Sequence, residues 1–296
     1  MKRVVTGIVT AALATALVLY LKPLFFVAVL TLVVLLAAAE YAALVQRIAD
    51  APRFRLALWL ALILVALATG VHLRIVPLHR LFDLDVRFAA AAAVLALATA
   101  VGLGNRAELR DRLAISALFT FGALWLGLFL VAAVHLHQLN PALLLWVLAV
   151  AAVGDIGAYY GGRAFGRRPL APTISPKKTI AGAVCGLVAS VGVGSAGFLL
   201  WLGPEDFVPG VPLVALVCGG AGQAGDLAAS LLKRAARVKD ASRLLPGHGG
   251  LLDRLDSVML ATPLLYVLVD VGALGPAIPT LYGSVLHGTG TVGALP

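Results

Sequence analysis

The sequence predicts an all-α fold: a polytopic integral membrane protein of about nine transmembrane helices, with its chemistry in loops on the cytoplasmic side. Three observations predict it. The 296 residues are 61% apolar and 12% charged, with a mean hydropathy of +1.01, a balance that excludes an ordinary soluble domain. The apolar residues also gather into runs near the roughly 20 residues that a helix needs to cross a hydrocarbon core, where each segment must satisfy its own backbone hydrogen bonds. Finally, the basic residues alternate in density from one connection to the next.

The runs lie at 4–21, 23–39, 56–73, 88–104, 113–134, 141–161, 180–202, 211–232 and 257–274. The first follows Met1-Lys2-Arg3 and resembles a secretory leader. The next run begins at once after Lys22-Pro23, which argues that the first is retained; the pair reads as a tight hairpin or one re-entrant unit. Between the third and fourth runs, Arg74 to Arg87 reads as a polar connector. His135 and His137, ahead of Asn140-Pro141, read as a wet helix terminus, because no Cys or second carboxylate accompanies them as a metal site would need. Glu205-Asp206 reads as a loop. Cys185 and Cys218 both fall within apolar runs, so each is expected to be a packing residue and not half of a disulfide. Residues 1–150 are expected to be N-terminal spans, and residues 151–296 a catalytic membrane region carrying the motifs.

Lys and Arg number 19 in the connections on the side that holds the N-terminus, against four (Lys22, Arg74, Arg80 and Arg87) on the other. By the positive-inside rule the richer side is cytoplasmic. The two most basic connections, Arg163 to Lys178 and Lys233 to Arg254, are both on it. The net charge of +9 suits anionic lipid or nucleotide. Basic residues are not interleaved with aromatic ones, which argues against a nucleic-acid partner.

The stretch from Ser230 to Asp256 sets Lys233, Arg234, Arg237, Lys239, Arg243 and Arg254 against Asp240, Asp253 and Asp256, around a Pro-Gly-His-Gly-Gly turn. Lys and Arg neutralise phosphate oxygens, and glycines let backbone N–H groups approach an anion. Carboxylates are the hard oxygen ligands that Mg2+ takes, completed by water and substrate phosphates. Asp253 and Asp256 share a face if a helix starts near Leu251, as do Asp226 and Ser230 upstream. The plainer alternative is a solvated loop that only sets topology. Asp155 and Asp226 lie where apolar helices near the surface, a costly place for a charge without a partner or metal. Around Asp226, Gly219, Gly220, Gly222 and Gly225 thin the helix for the approach of substrate or of a neighbouring helix. Ser175-Pro176 reads as a turn presenting Lys177 and Lys178 to phosphate. His248, in the bend with Gly249 and Gly250, reads as a hydrogen-bond partner of a phosphate or as a cap of the turn, and Tyr159 and Tyr160 are interfacial anchors or line a lipid entry.

These residues resemble the phosphatidate cytidylyltransferases (CDP-diacylglycerol synthases). The family signature of Ser, Lys-Arg, Lys-Asp, Pro-Gly-His-Gly-Gly and Asp-Arg-x-Asp is present without a gap as Ser230, Lys233-Arg234, Lys239-Asp240, Pro246 to Gly250 and Asp253-Arg254-Leu255-Asp256. A second match covers Asp155 to Gly182, with Asp155 and Tyr159 in an Asp-x-x-Ala-Tyr segment and a Ser-Pro-Lys-Lys-Thr motif at Ser175. Ala181 stands where the family commonly has an acidic residue. The resemblance implies attack by the phosphate of phosphatidic acid on the α-phosphorus of CTP. Asp226 and Asp253 would hold Mg2+, and Asp240 and Asp256 would add ligands or orient Lys239 and Arg254. A second cation such as K+ is also implied. The expected location is the inner (cytoplasmic) membrane, with surrounding lipids and a homodimer as further partners. Rival readings are another CTP-dependent lipid enzyme (a CDP-archaeol synthase or a polyprenol kinase), a transporter, or a catalytically silent relative.

Overall fold

The structure, a computed structural model, describes residues 12, 15–73, 86–105, 108–201, 209–244 and 249–272. Helices occupy eight of the nine predicted runs: α1 (Pro23–Ile48), α2 (Phe54–His72), α3 (Val86–Leu103), α4 (Leu109–Leu139), α5 (Pro141–Phe165), α6 (Ile180–Trp201), α7 (Val211–Ala235) and α9 (Val258–Asp270). One helical turn, α8 (Leu252–Leu255), precedes α9. Most of the first run, and with it the leader-like segment, lies outside the described residues. Among the described residues six helices (α1, α2 and α4 to α7) are long and apolar enough to cross a membrane, while α3 and α9 offer shorter apolar lengths.

Two features depart from expectation, each for a physical reason. The helices outrun their apolar stretches: α1 continues past Glu40 to Ile48, and α4 is 31 residues long, about 46 Å against a hydrocarbon core of roughly 30 Å. Hydropathy marks lipid contact, whereas helix length follows from hydrogen bonding that polar residues continue as readily. The fold is also not purely helical. Between α5 and α6 the chain makes a hairpin of β1 (Pro169–Ala171) and β2 (Ser175–Thr179), antiparallel, with Pro169 opposite Thr179 and Ala171 opposite Ser175. The turn therefore falls before Ser175, closed by Ile174 N–H donating to the Ala171 carbonyl at 3.2 Å. Ser175-Pro176 opens a strand, where the fixed φ of proline is at home on a two-stranded edge.

Two sets of contacts place the site. Helices α5 and α6 approach closely on small residues: a methyl group at Gly182 would meet the Ala158 carbonyl oxygen at 2.7 Å, and one at Gly186 the Gly154 carbonyl oxygen at 2.8 Å. Trp146 Nε1–H donates to the Gly194 carbonyl at 2.7 Å and the Ser190 hydroxyl to the Val150 carbonyl at 3.0 Å, both across this pair. The small residues of α5 and α6 thus pack against each other within the chain. The other set joins α1, α2 and α4, where the buried Tyr41 hydroxyl donates to the Leu118 carbonyl at 2.7 Å. His137 is not a wet terminus. It is buried, stacked on Phe26 at 3.8 Å, with Nε2 at 3.1 Å from the Val18 carbonyl. Cys218 is buried and the Cys185 side chain fills the groove at Gly161, so both pack as expected.

Candidate active site

The last three turns of α5, the hairpin, the first turn of α6 and the second half of α7 line a cavity of about 580 Å³. Its wall includes Asp155, Tyr159, Arg163, Lys177, Lys178 and Asp226. Asp226 forms an ion pair with Lys178, reaching across from β2. The strand ends at Thr179, whose hydroxyl oxygen accepts from Gly182 N–H at 3.1 Å, the bond of an N-capping residue. The positive end of α6 therefore opens onto the same space as the two lysines, a setting for an anion. Gln223, one turn before Asp226, donates to the Ala183 carbonyl at 2.9 Å and ties α7 to α6. Tyr159 remains 62% exposed on the outside of α5, at the lateral edge of the cavity.

The glycines of α7 admit neighbouring protein. At Gly219 a methyl group would meet the Ser190 side chain at 2.6 Å, and at Gly225 it would overlap the carbonyl of Asp256. This contact lays the link between α8 and α9 against α7 and sets Asp256 beside Asp226. Asp256 is buried and has its Oδ2 3.9 Å from Lys233 Nζ, while its Oδ1 accepts from Ser257 N–H at 2.8 Å. Burial, reinforced by the negative charge of Asp226, pushes its carboxyl up to about 7 against the opposing pull of Lys233. Asp253 has the opposite environment. Lys233 Nζ donates to its Oδ1 at 2.6 Å, and Ala241 and Gly250 N–H donate to its Oδ2 at 2.8 and 2.9 Å. Burial alone would raise it, but these donors hold it below the usual carboxylate range. The helix expected near Leu251 is present as α8, and Asp253 and Asp256 both face Lys233 as the spacing predicts.

The remaining signature residues divide by environment. Lys233 is buried between the two aspartates. Arg234 donates to the carbonyls of Ile174 at 3.2 Å and Val238 at 3.4 Å, so it joins the hairpin to the loop after α7. Lys239, Asp240 and Arg254 are exposed, and Ser230 lies one turn beyond Asp226 on α7. Gly249 has a positive φ of 79°, a conformation that favours glycine. Gly250 is buried. His248 lies outside the described residues. Thr179 closes the Ser-Pro-Lys-Lys-Thr motif and is found to cap α6; two residues of the site, Gln223 and Glu40, have no counterpart in the sequence reading. Glu40, on α1, accepts hydrogen bonds from the same loop.

The profile of the cytidylyltransferase family matches residues 1–271. The chain belongs to this family. Among its relatives in the family, the phosphatidate cytidylyltransferase of Brucella suis is 43% identical over 137 residues, 46% of this chain and 50% of the relative. That of Synechocystis is 43% identical over 139 residues, 46% of each chain, and that of Bacillus subtilis 35% identical over 153 residues, 51% of this chain and 56% of the relative. The chain thus spans about half the length of the curated relatives it matches. For a cytidylyltransferase the donor chemistry is apt, since hard oxygen ligands and fixed cations face one cavity. Among the described residues no three His, Cys, Asp or Glu side chains are grouped to hold a metal ion by themselves. Mg2+ takes one or two carboxylates and fills its shell with water and phosphate. Asp226 and the buried Asp256 beside it, whose ionisation the charge of Asp226 opposes, fit that demand.

Proposed function

We propose that this cytidylyltransferase acts as a phosphatidate cytidylyltransferase, converting CTP and phosphatidic acid to CDP-diacylglycerol and pyrophosphate. One observation carries the reading: the Lys178–Asp226 pair lines one cavity together with Asp155, Lys177 and the exposed Tyr159, and the buried Asp256 of the signature stretch lies beside Asp226. The relatives' names support the substrate pair. A phosphate oxygen of the lipid attacks the α-phosphorus of CTP, the bond from that phosphorus to the bridging oxygen breaks, and pyrophosphate leaves. The nucleophile is already anionic, so the chain's task is positioning and neutralisation.

Lys177, Lys178, Arg163 and the N-terminal end of α6 would receive phosphate oxygens, with Lys178 leaving Asp226 for the incoming anion. Lys239 and Arg254, exposed on the signature loop, would meet the triphosphate from the aqueous side. His248, Gly249 and Gly250 would line its bend. Lys233 and Arg234 hold the loop in place. Asp226, with Asp256 beside it, would hold Mg2+; Asp253, expected as its second ligand, would reach the ion by releasing Lys233 from its Oδ1, and Asp240 would orient Lys239. The ion would neutralise phosphate charge on CTP and on the departing pyrophosphate. A second cation such as K+ is proposed without assigned ligands. The nine-span count, with the first apolar run, α3 and α9 crossing alongside the six long helices, and a cytoplasmic orientation of the site in the inner membrane, complete the proposal.

The test is CTP-dependent conversion of phosphatidic acid by the purified full chain, with Mg2+ and with chelator. Asp226→Asn is expected to lower turnover at least a thousandfold with unchanged protein yield. Retained turnover would remove Asp226 from the site. Archaeol phosphate in place of phosphatidic acid, assayed in parallel, identifies the acceptor.

A further inference from the structure

Glu40 lies on α1, and no motif of the sequence includes it. It is buried, and its carboxylate is bonded to a distant part of the chain. Oε1 accepts from the Ser242 hydroxyl at 2.6 Å and from Leu251 N–H at 3.0 Å, and Oε2 accepts from Leu252 N–H at 2.7 Å. Gly250 is packed against the same carboxylate so closely that a methyl group there would collide with it. The donors come from the middle of the loop between α7 and α8 (Ser242) and from its junction with α8 (Leu251 and Leu252), more than 200 positions away.

The other grip on this loop is Asp253, which takes Ala241 and Gly250 N–H from within it and Lys233 from α7. Two carboxylates therefore clasp one loop from opposite sides, one belonging to the signature and one to the N-terminal bundle. Both Glu40 oxygens are engaged, so an amide of the same shape, with one acceptor oxygen and two N–H donors, would set donor against donor. The loop leads directly into α8, which carries Asp253 and ends at Asp256.

We infer that Glu40 is a positioning residue: it anchors the signature loop to the membrane bundle and so sets Asp253 and Asp256 opposite Asp226 and Lys233. The kinetic consequence rests on the reading of the site as a cytidylyltransferase centre, while the anchoring itself does not. The N-terminal half is thereby part of the working site.

The experiment compares the full chain with Glu40→Gln and Ser242→Ala in detergent micelles. The readouts are trypsin cleavage after Arg243, maleimide labelling of the buried Cys218, and kinetics with CTP and phosphatidic acid. For Glu40→Gln, cleavage is expected to accelerate at least tenfold and kcat/KM for CTP to fall at least tenfold. KM for phosphatidic acid should stay within twofold and Cys218 should stay protected. Ser242→Ala should shift the same readouts in the same direction by less. Unchanged cleavage and kinetics would overturn the inference, and so would Cys218 labelling that rises in step with cleavage, because the carboxylate would then be holding the bundle and not the loop. If the parent chain turns over no CTP, the proposed function fails, and the cleavage and labelling results still decide the role of Glu40.

Discussion

Three aspartates within one site show how environment assigns different work to one residue type. Asp226 is half-buried and paired with Lys178. Asp253 is clamped by a buried ammonium and two backbone N–H groups, and is held ionised. Asp256 is buried beside another carboxylate and pushed up to about 7. The sign of its pH effect follows. An unfolded aspartate releases its proton near 4, so between about 4 and 7 the folded chain holds a proton that the unfolded chain does not, and stability falls as pH rises through that window. Asp256→Asn is expected to flatten this slope: without divalent cation, the Tm difference between pH 5 and pH 8 should shrink relative to the parent. An undiminished difference would place the titration elsewhere. Asp253→Ala removes the acceptor for three donors and is expected to lower stability by about 2–4 kcal/mol, read as a lower Tm at pH 7.

At the scale of the element, α7 ends in a geometry that its residues do not favour. Val238 N–H returns to the Lys233 carbonyl at 2.9 Å and Arg237 N–H to the Arg234 carbonyl at 3.0 Å, the paired bonds of a Schellman cap. The residue at its left-handed position is Arg237, with φ 57°. Glycine is the usual occupant, since a side chain there costs about 1 kcal/mol. Arg237→Gly is therefore expected to raise stability by up to about 1 kcal/mol in thermal unfolding, with turnover unchanged. The α5–α6 pair behaves in the opposite sense. A methyl group at Gly186 would lie 2.8 Å from the Gly154 carbonyl oxygen and 2.9 Å from Gln223 Nε2, so one helix must shift. Gly186→Ala is expected to cost about 1–3 kcal/mol and, by moving α6 at the cavity wall, to reduce turnover as well.

For the whole molecule, the site draws on both halves of the chain. The hairpin after α5, the end of α7 and α8 form it, and α1 reaches it through Glu40. All of these lie at one end of the bundle, the end carrying Arg163 to Lys178 and Lys233 to Arg254, so charge distribution and cavity agree on where anions meet the protein. Orientation is tested with single cysteines in a chain whose Cys185 and Cys218 are replaced by alanine. Lys239→Cys is expected to react with an impermeant maleimide only after the inner membrane is opened, and Arg80→Cys before it. The reverse pattern would invert the topology.

The sequence alone determined the membrane class, the positions of the helices, the face on which the basic loops gather, and the signature residues, because these depend on local hydropathy, charge and spacing. Asp253 and Asp256 on one helical face were legible for the same reason. Only the tertiary structure decided which partner each charge takes: Lys178 for Asp226, Lys233 between Asp253 and Asp256, backbone carbonyls for Arg234. It also decided that Glu40, just past the apolar run at 23–39, is bonded to a loop more than 200 residues away. A buried charge is satisfied by whatever the fold brings within about 3 Å, and no local pattern encodes that distance.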